Sequence, residues 1–134
     1  MDNAGVGTGS RGYILIVEDD ALTARALSHC LISQGYRTTI ANNGAEGVAM
    51  FRAERPDLAL VDVLLPKKDG FDVCSELKSL HGGTPILLMS GAYPSAVMGE
   101  KFARNVNADG FLCKPFDYAT LVNRVSELIL VAPS

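Results

Sequence analysis

Four short apolar runs in this chain each end on residues that can do chemistry. Glu18-Asp19-Asp20 follows Ile14 to Val17, Asp62 follows Leu58 to Val61, Ser90 follows Ile86 to Met89, and Lys114 follows Gly110 to Cys113. Carboxylates brought together repel and raise one another's pKa unless a cation lies among them. An all-oxygen set without His or Cys favours a hard divalent ion that keeps several waters, so Mg²⁺ is the expected cofactor. Such a site exists only if the fold gathers these distant positions.

The pattern between them supplies the reason to expect that. Strands are predicted at Tyr13 to Val17, Arg37 to Ala41, Leu58 to Val61, Ile86 to Met89 and Gly110 to Cys113. Helical periodicity fills the intervals, at about Ala21 to Gln34, Ala45 to Arg55, Phe71 to Leu80 and Ser95 to Val106, with a last helix after the N-cap candidate Asp117. Strict alternation of strand and helix calls for a parallel sheet covered on both faces, because parallel neighbours need a crossover. The continuous apolar stretches Ile14 to Val17 and Ile86 to Met89 fit strands buried on both sides. In such folds ligands sit outside the carboxyl ends of the strands, where the polar residues above fall.

Composition sets the limits. The chain has 134 residues, 48% of them hydrophobic, which fits one domain with a core of its own and leaves no space for a second of ordinary size. A formal net charge of −3 argues against direct binding to nucleic acid or an anionic membrane. Three cysteines, Cys30, Cys74 and Cys113, without CxxC spacing read as reduced, buried thiols. Apolar runs far shorter than a membrane span and the lack of a signal-peptide pattern imply a cytoplasmic protein. Residues 1–12 are expected to form a flexible tail, residues 13–131 the folded domain and residues 132–134 a short end. The tail's alternating glycines precede the first strand and lack a closing Gly-Lys-Ser/Thr, so they are not a phosphate-binding loop.

The stretches Ile14-Leu15-Ile16-Val17-Glu18-Asp19-Asp20, Leu60-Val61-Asp62-Val63-Leu64-Leu65-Pro66 with Asp69-Gly70, Met89-Ser90-Gly91-Ala92 and Ala108-Asp109-Gly110-Phe111-Leu112-Cys113-Lys114-Pro115-Phe116 together resemble the receiver domain of two-component response regulators. The resemblance spans about Tyr13 to Leu130. It implies a flavodoxin-like, doubly wound (βα)5 three-layer α/β sandwich with a parallel sheet of order 2-1-3-4-5. It implies that Asp62 is the phosphoacceptor, taking a phosphoryl group from a sensor histidine kinase or a histidine phosphotransfer protein. Glu18, Asp19, Asp62 and the backbone carbonyl of Leu64 would hold Mg²⁺. Lys114 and Ser90 would meet phosphoryl oxygens, and Ser90 with Phe111 would switch the surface shown to a downstream protein. Pro115 would follow a cis peptide that holds Lys114 at the site. Asp20, one position past the acidic pair, is not assigned to the metal.

The chain departs from the family pattern at Glu18, where Asp is commoner, at Lys67-Lys68, where an apolar residue usually precedes Asp-Gly, and at Gly91, where Ala is usual. The basic pair reads as solvated charge beside the acceptor loop. The interval from Ser90 to Lys114 is also longer than usual, which shifts the fourth helix. Two other classes of function compete. A pseudo-receiver would bind partners without being phosphorylated, and a Mg²⁺-dependent aspartyl-phosphate phosphohydrolase would carry a second Asp where Leu64 stands. The domain is expected to catalyse only its own modification, so it is not read as a turnover enzyme. Only three residues follow Val131, so no output domain is expected here, whether the chain is a stand-alone regulator or a fragment. Homodimerisation is left open.

Overall fold

The computed structural model describes residues 10–91, 101 and 103–132. Five strands, β1 (Tyr13–Val17), β2 (Arg37–Ala41), β3 (Leu58–Asp62), β4 (Ile86–Ser90) and β5 (Gly110–Cys113), form one sheet in the order β2-β1-β3-β4-β5. Every neighbouring pair is parallel. Between them run α1 (Ala21–Ser33), α2 (Gly44–Ala53), α3 (Gly70–Leu80) and α4, described at residues 101 and 103–105, with α5 (Tyr118–Val131) at the end. The expected fold class and strand order are those observed. The expected start of the fourth helix at Ser95 lies outside the described residues.

The sheet sits between two apolar layers because successive side chains point to opposite faces. Leu15 and Val17 join Val48, Phe51, Val73, Leu77 and Phe111 on one side, while Ile14 and Ile16 join Leu27, Leu31, Leu121 and Val125 on the other. All five residues of β1, β3 and β4 are buried. At about 1.5–3 kcal/mol for each large apolar side chain, these layers are the main stabilising term. The edge strand β2 is less covered and carries Arg37, Thr38 and Thr39.

Each of α1, α2, α3 and α5 begins on an Asx cap. The side chains of Asp20, Asn43, Asp69 and Asp117 accept from the backbone N–H of Thr23, Glu46, Asp72 and Thr120, satisfying donors the first turn leaves open. Asp117 is thus the N-cap that was expected.

Three expectations change. Residues 1–9 of the expected tail lie outside the described residues, but Arg11 and Gly12 are tied in. The Arg11 N–H donates to Gly35 O at 2.9 Å, its guanidinium lies 4.8 Å from the Tyr36 ring centroid, and Gly12 O accepts from Arg37 N. Of the cysteines only Cys74 is buried, and Cys30 and Cys113 are partly exposed. Burial pushes the Cys74 thiol up to about 12. Lys68 is not a free solvated charge, since its ammonium pairs with Glu76 on α3. No described helix is long and apolar enough to cross a membrane.

Candidate functional site

The site begins where the parallel ladder ends. Beyond β1 the Glu18 N–H still donates to Ala41 O at 3.0 Å, which carries the strand geometry one residue further and turns the Glu18 side chain into the protein. That side chain is only 2% exposed. Its Oε2 accepts the Asp20 N–H at 3.2 Å. Burial raises the Glu18 pKa above its usual value, the Asp20 N–H opposes the rise, the Asp62 charge adds to it and Lys114 opposes it again.

Asp62 is the last residue of β3, one position deeper in the strand than the sequence suggested. It stands beside Met89 of β4, and the next N–H, from Val63, donates to Met89 O at 2.9 Å. This pairing holds the Asp62 backbone in the sheet while its carboxylate, with the side chain 8% exposed, reaches the rim. The Asp62 Oδ1 accepts weakly from Leu64 N at 3.4 Å.

The sheet order brings the distant members together. One carboxylate oxygen from each of Glu18, Asp19 and Asp62 lies within 4.8 Å of the others. The Lys114 ammonium donates to Glu18 Oε1 at 3.1 Å and stands 3.6 Å from Asp62 Oδ2. Its backbone is fixed by its own N–H, which donates to Ser90 O at 2.9 Å, and the Lys114–Pro115 peptide is cis. Ser90 is fully buried at the end of β4. Asp20 does not join the three carboxylates; it caps α1, and both Thr23 N and Thr23 Oγ1 bond its Oδ2, which lowers its pKa. Leu64 lies in the loop after β3 with 60% of its surface exposed. Phe111 on β5 is 7% exposed and belongs to the core layer of α2 and α3.

One residue that builds the site was quoted in the sequence only as part of a motif. Gly70 opens α3, and its N–H donates to Val63 O at 2.8 Å. A Cβ there would collide with Asp62 O and come within 2.6 Å of Val63 Cα. Gly70 therefore lets α3 start against the backbone of Asp62 and Val63. Asp69-Gly70 carries the signal, since an Asx cap followed by Gly trades helix propensity for close approach. Lys67, with φ +70°, shapes the loop between β3 and α3.

Buried carboxylates gathered at the carboxyl edge of this parallel sheet, with one lysine among them, match a known group of signalling domains. Residues 14–126 match the family described as the response regulator receiver domain. The chain belongs to that family. The transcriptional regulatory protein PcoR of Escherichia coli is 36% identical over 121 residues, covering 90% of this chain and 53% of PcoR. The chain thus spans about half the length of the curated relatives it matches. Among solved structures, a CheY-like receiver domain protein from Methanospirillum hungatei JF-1 aligns with a TM-score of 0.81 and 30% identity, covering 87% of this chain and 92% of its own. The receiver domain of a signal transduction histidine kinase from Syntrophus aciditrophicus aligns with a TM-score of 0.80 and 34% identity, covering 89% and 90%.

The receiver's acidic group fits a hard divalent ion by its donors, two carboxylates from the turn after β1 and one from the end of β3, one of them exposed to solvent. Lys114 offsets part of their charge.

Proposed function

We propose that this receiver domain takes a phosphoryl group onto Asp62 from a phosphohistidine of a sensor histidine kinase or a histidine phosphotransfer protein. The modified domain then presents a changed surface to a downstream protein. The observation that carries this reading is the convergence of Glu18, Asp19 and Lys114 on the Asp62 carboxylate.

In the transfer, an Asp62 oxygen forms the new O–P bond as the P–N bond of the donor breaks. The bonding pair returns to the imidazole nitrogen, which takes a proton from solvent, and the product is an acyl phosphate. Phosphoryl transfer asks the protein mainly to position the group and neutralise its oxygens. Lys114 carries a point charge on a long stem and meets one of those oxygens. The Ser90 hydroxyl donates to another. Glu18, Asp19, Asp62 and the Leu64 carbonyl would hold Mg²⁺, which when bound supplies further charge neutralisation. Ser90 and Phe111 form the switch, with Phe111 in the core layer next to β4. Leu64 offers no polar group to orient an attacking water, so the acyl phosphate is long-lived. A lifetime of seconds would contradict that point.

The domain is modified by its own chemistry and turns over no substrate. Its net charge of −3 favours protein partners over nucleic acid, and the reading places it in the cytoplasm with its donor. The decisive experiment incubates the protein with Mg²⁺ and acetyl phosphate and measures the mass. A phosphoryl adduct in the wild type that falls at least about 100-fold in Asp62→Asn is expected. Equal labelling of both removes Asp62 from this role, and no labelling of either favours the pseudo-receiver.

A further inference from the structure

We infer that a pocket at the amino edge of the sheet binds a small monocarboxylate with a short apolar tail, its carboxylate held by Arg55 and His81. The inference is independent of the reading of Asp62, which stands at the opposite end of β3.

Three segments meet to form this pocket. The turn from α2 into β3 brings Arg55 and Pro56, the turn from α3 into β4 brings His81, Gly83 and Pro85, and the end of α5 brings Ile129. The space between them is about 230 Å³. Sites for drug-sized ligands run to roughly 300–1,000 Å³, so this one suits a molecule of only a few heavy atoms.

The hydrogen bonds already made around the pocket decide what that molecule must offer. Carbonyl oxygens of the turn are engaged: His81 O accepts from Thr84 N at 3.3 Å, Pro85 O accepts from Ala59 N at 3.0 Å, and Lys78 Nζ donates to Gly82 O at 3.1 Å and Thr84 O at 2.9 Å. The one carboxylate on the wall, Asp57, is turned to β1, where its Oδ2 accepts from Tyr13 N at 2.7 Å. Donors are left over. Among the described residues, the Arg55 guanidinium and the Gly83 N–H make no hydrogen bond or ion pair. His81 adds a third donor. Its Nδ1 lies 2.9 Å from the hydroxyl of Thr84, a residue only 3% exposed, so the imidazole is held from inside the protein. With that hydroxyl donating to Nδ1, Nε2 carries the proton and is left to donate.

Donors in surplus, beside acceptors already engaged, call for a ligand end that only accepts, which an ionised carboxylate does. Arg55 supplies the charge and a planar fork matched to two carboxylate oxygens. The remaining side chains of the wall are apolar, with Pro56 and Pro85 buried and Ile129 half-buried, and they would cover an alkyl tail. A phosphate ion would meet the donors and leave that apolar wall unused.

Butyrate is the probe for the test. In ¹⁵N–¹H spectra of the whole chain at constant ionic strength, it should shift the His81, Gly83 and Thr84 amides saturably, with a dissociation constant on the order of 1 mM. Arg55→Met should weaken binding at least about tenfold, and His81→Phe about threefold. Arg55 is exposed, so its replacement leaves the core intact, and the same spectra establish that both variants are folded. Butyramide, which keeps the shape and loses the charge, should bind at least about tenfold more weakly than butyrate. Arg25→Met, on α1 and away from the pocket, should bind butyrate as the wild type does. Shifts that fail to saturate, equal binding by the wild type and either pocket variant, equal binding of butyrate and butyramide, or a loss in Arg25→Met as large as in Arg55→Met would overturn the inference. Inorganic phosphate binding more tightly than butyrate at the same amides would overturn the choice of a monocarboxylate. Acetyl phosphate labelling of Asp62 is a separate measurement, so the failure of either reading leaves the other standing.

Discussion

The two ends of the sheet use lysine and aspartate in opposite ways. At the amino end, Lys78 of α3 donates to Gly82 O at 3.1 Å and Thr84 O at 2.9 Å and pairs with Asp109 at 2.6 Å. Asp109 in turn accepts the first N–H of β4, from Ile86, at 2.7 Å, and Asp57 does the same for Tyr13 of β1 at 2.7 Å. Each charge there meets complementary groups and closes off strand ends. At the carboxyl end Lys114 faces two carboxylates, and a third stands exposed beside them. Acidic groups outnumber the cation, and two of the three are buried. The first end is a clamp, and the second carries an excess of negative charge. Strand-closing ion pairs and the proposed chemistry thus fall at opposite edges of the same strands, and substitutions at one edge should leave the other largely unaffected.

The strongest way to sharpen that contrast is to supply the cation. Mg²⁺ at 100 times its dissociation constant should stabilise the wild type by about 2.7 kcal/mol, and Asp19→Asn should gain far less at the same concentration. Urea melts with and without Mg²⁺ measure both, and equal gains would break the contrast at the carboxyl end. Next comes the clamp. Lys78→Met strips the donor from two carbonyls and a half-buried carboxylate, and should cost about 2 kcal/mol in the same melts while acetyl phosphate still labels Asp62. A stability unchanged by this substitution would show that the amino end is no clamp. The smallest effect belongs to Asp20, which borders the site in sequence and serves α1 in space. Asp20→Ala should lower the melting temperature by a few degrees and leave Mg²⁺ affinity unchanged. Because its bonds to Thr23 lower the folded-state pKa of Asp20, the stability it adds is present above the ordinary Asp value. That stability is lost as pH falls through the lowered value, so the difference between Asp20→Ala and wild type should vanish in strong acid.

Much of this was readable along the chain. Strands β1, β3 and β4 announce themselves because strands covered on both faces leave no alternation to disguise them. The Asp117 cap was readable because capping is local. Asp62, Ser90 and Lys114 were legible as neighbours at one edge of the sheet because alternating strands and helices leave little choice but a parallel sheet. Other features depend on groups far away. Nothing near Arg11 in sequence announces Gly35 and Tyr36, which hold it, and the pairing of Lys68 with Glu76 depends on how α3 leaves the loop after β3. Gly70 stood in view as part of a motif, yet its reason lies in the backbone of Asp62. Cys30 and Cys113 were expected inside and lie half-buried, since the outer sides of α1 and β5 are less covered than the centre of the sheet.

The order of apolar runs and polar ends decided by itself that this chain forms a parallel α/β sheet covered on both faces and which residues fall at its carboxyl rim, because hydrophobic period and strand polarity are properties of the linear chain. Only the tertiary structure decided how those side chains divide the work there. That Lys114 bonds Glu18 and only approaches Asp62, and that Asp20 turns away to cap α1, are matters of a few tenths of an ångström and of one backbone turn. Distances of that size are set by packing and pairing among segments nearly a hundred residues apart, to which no local pattern is sensitive.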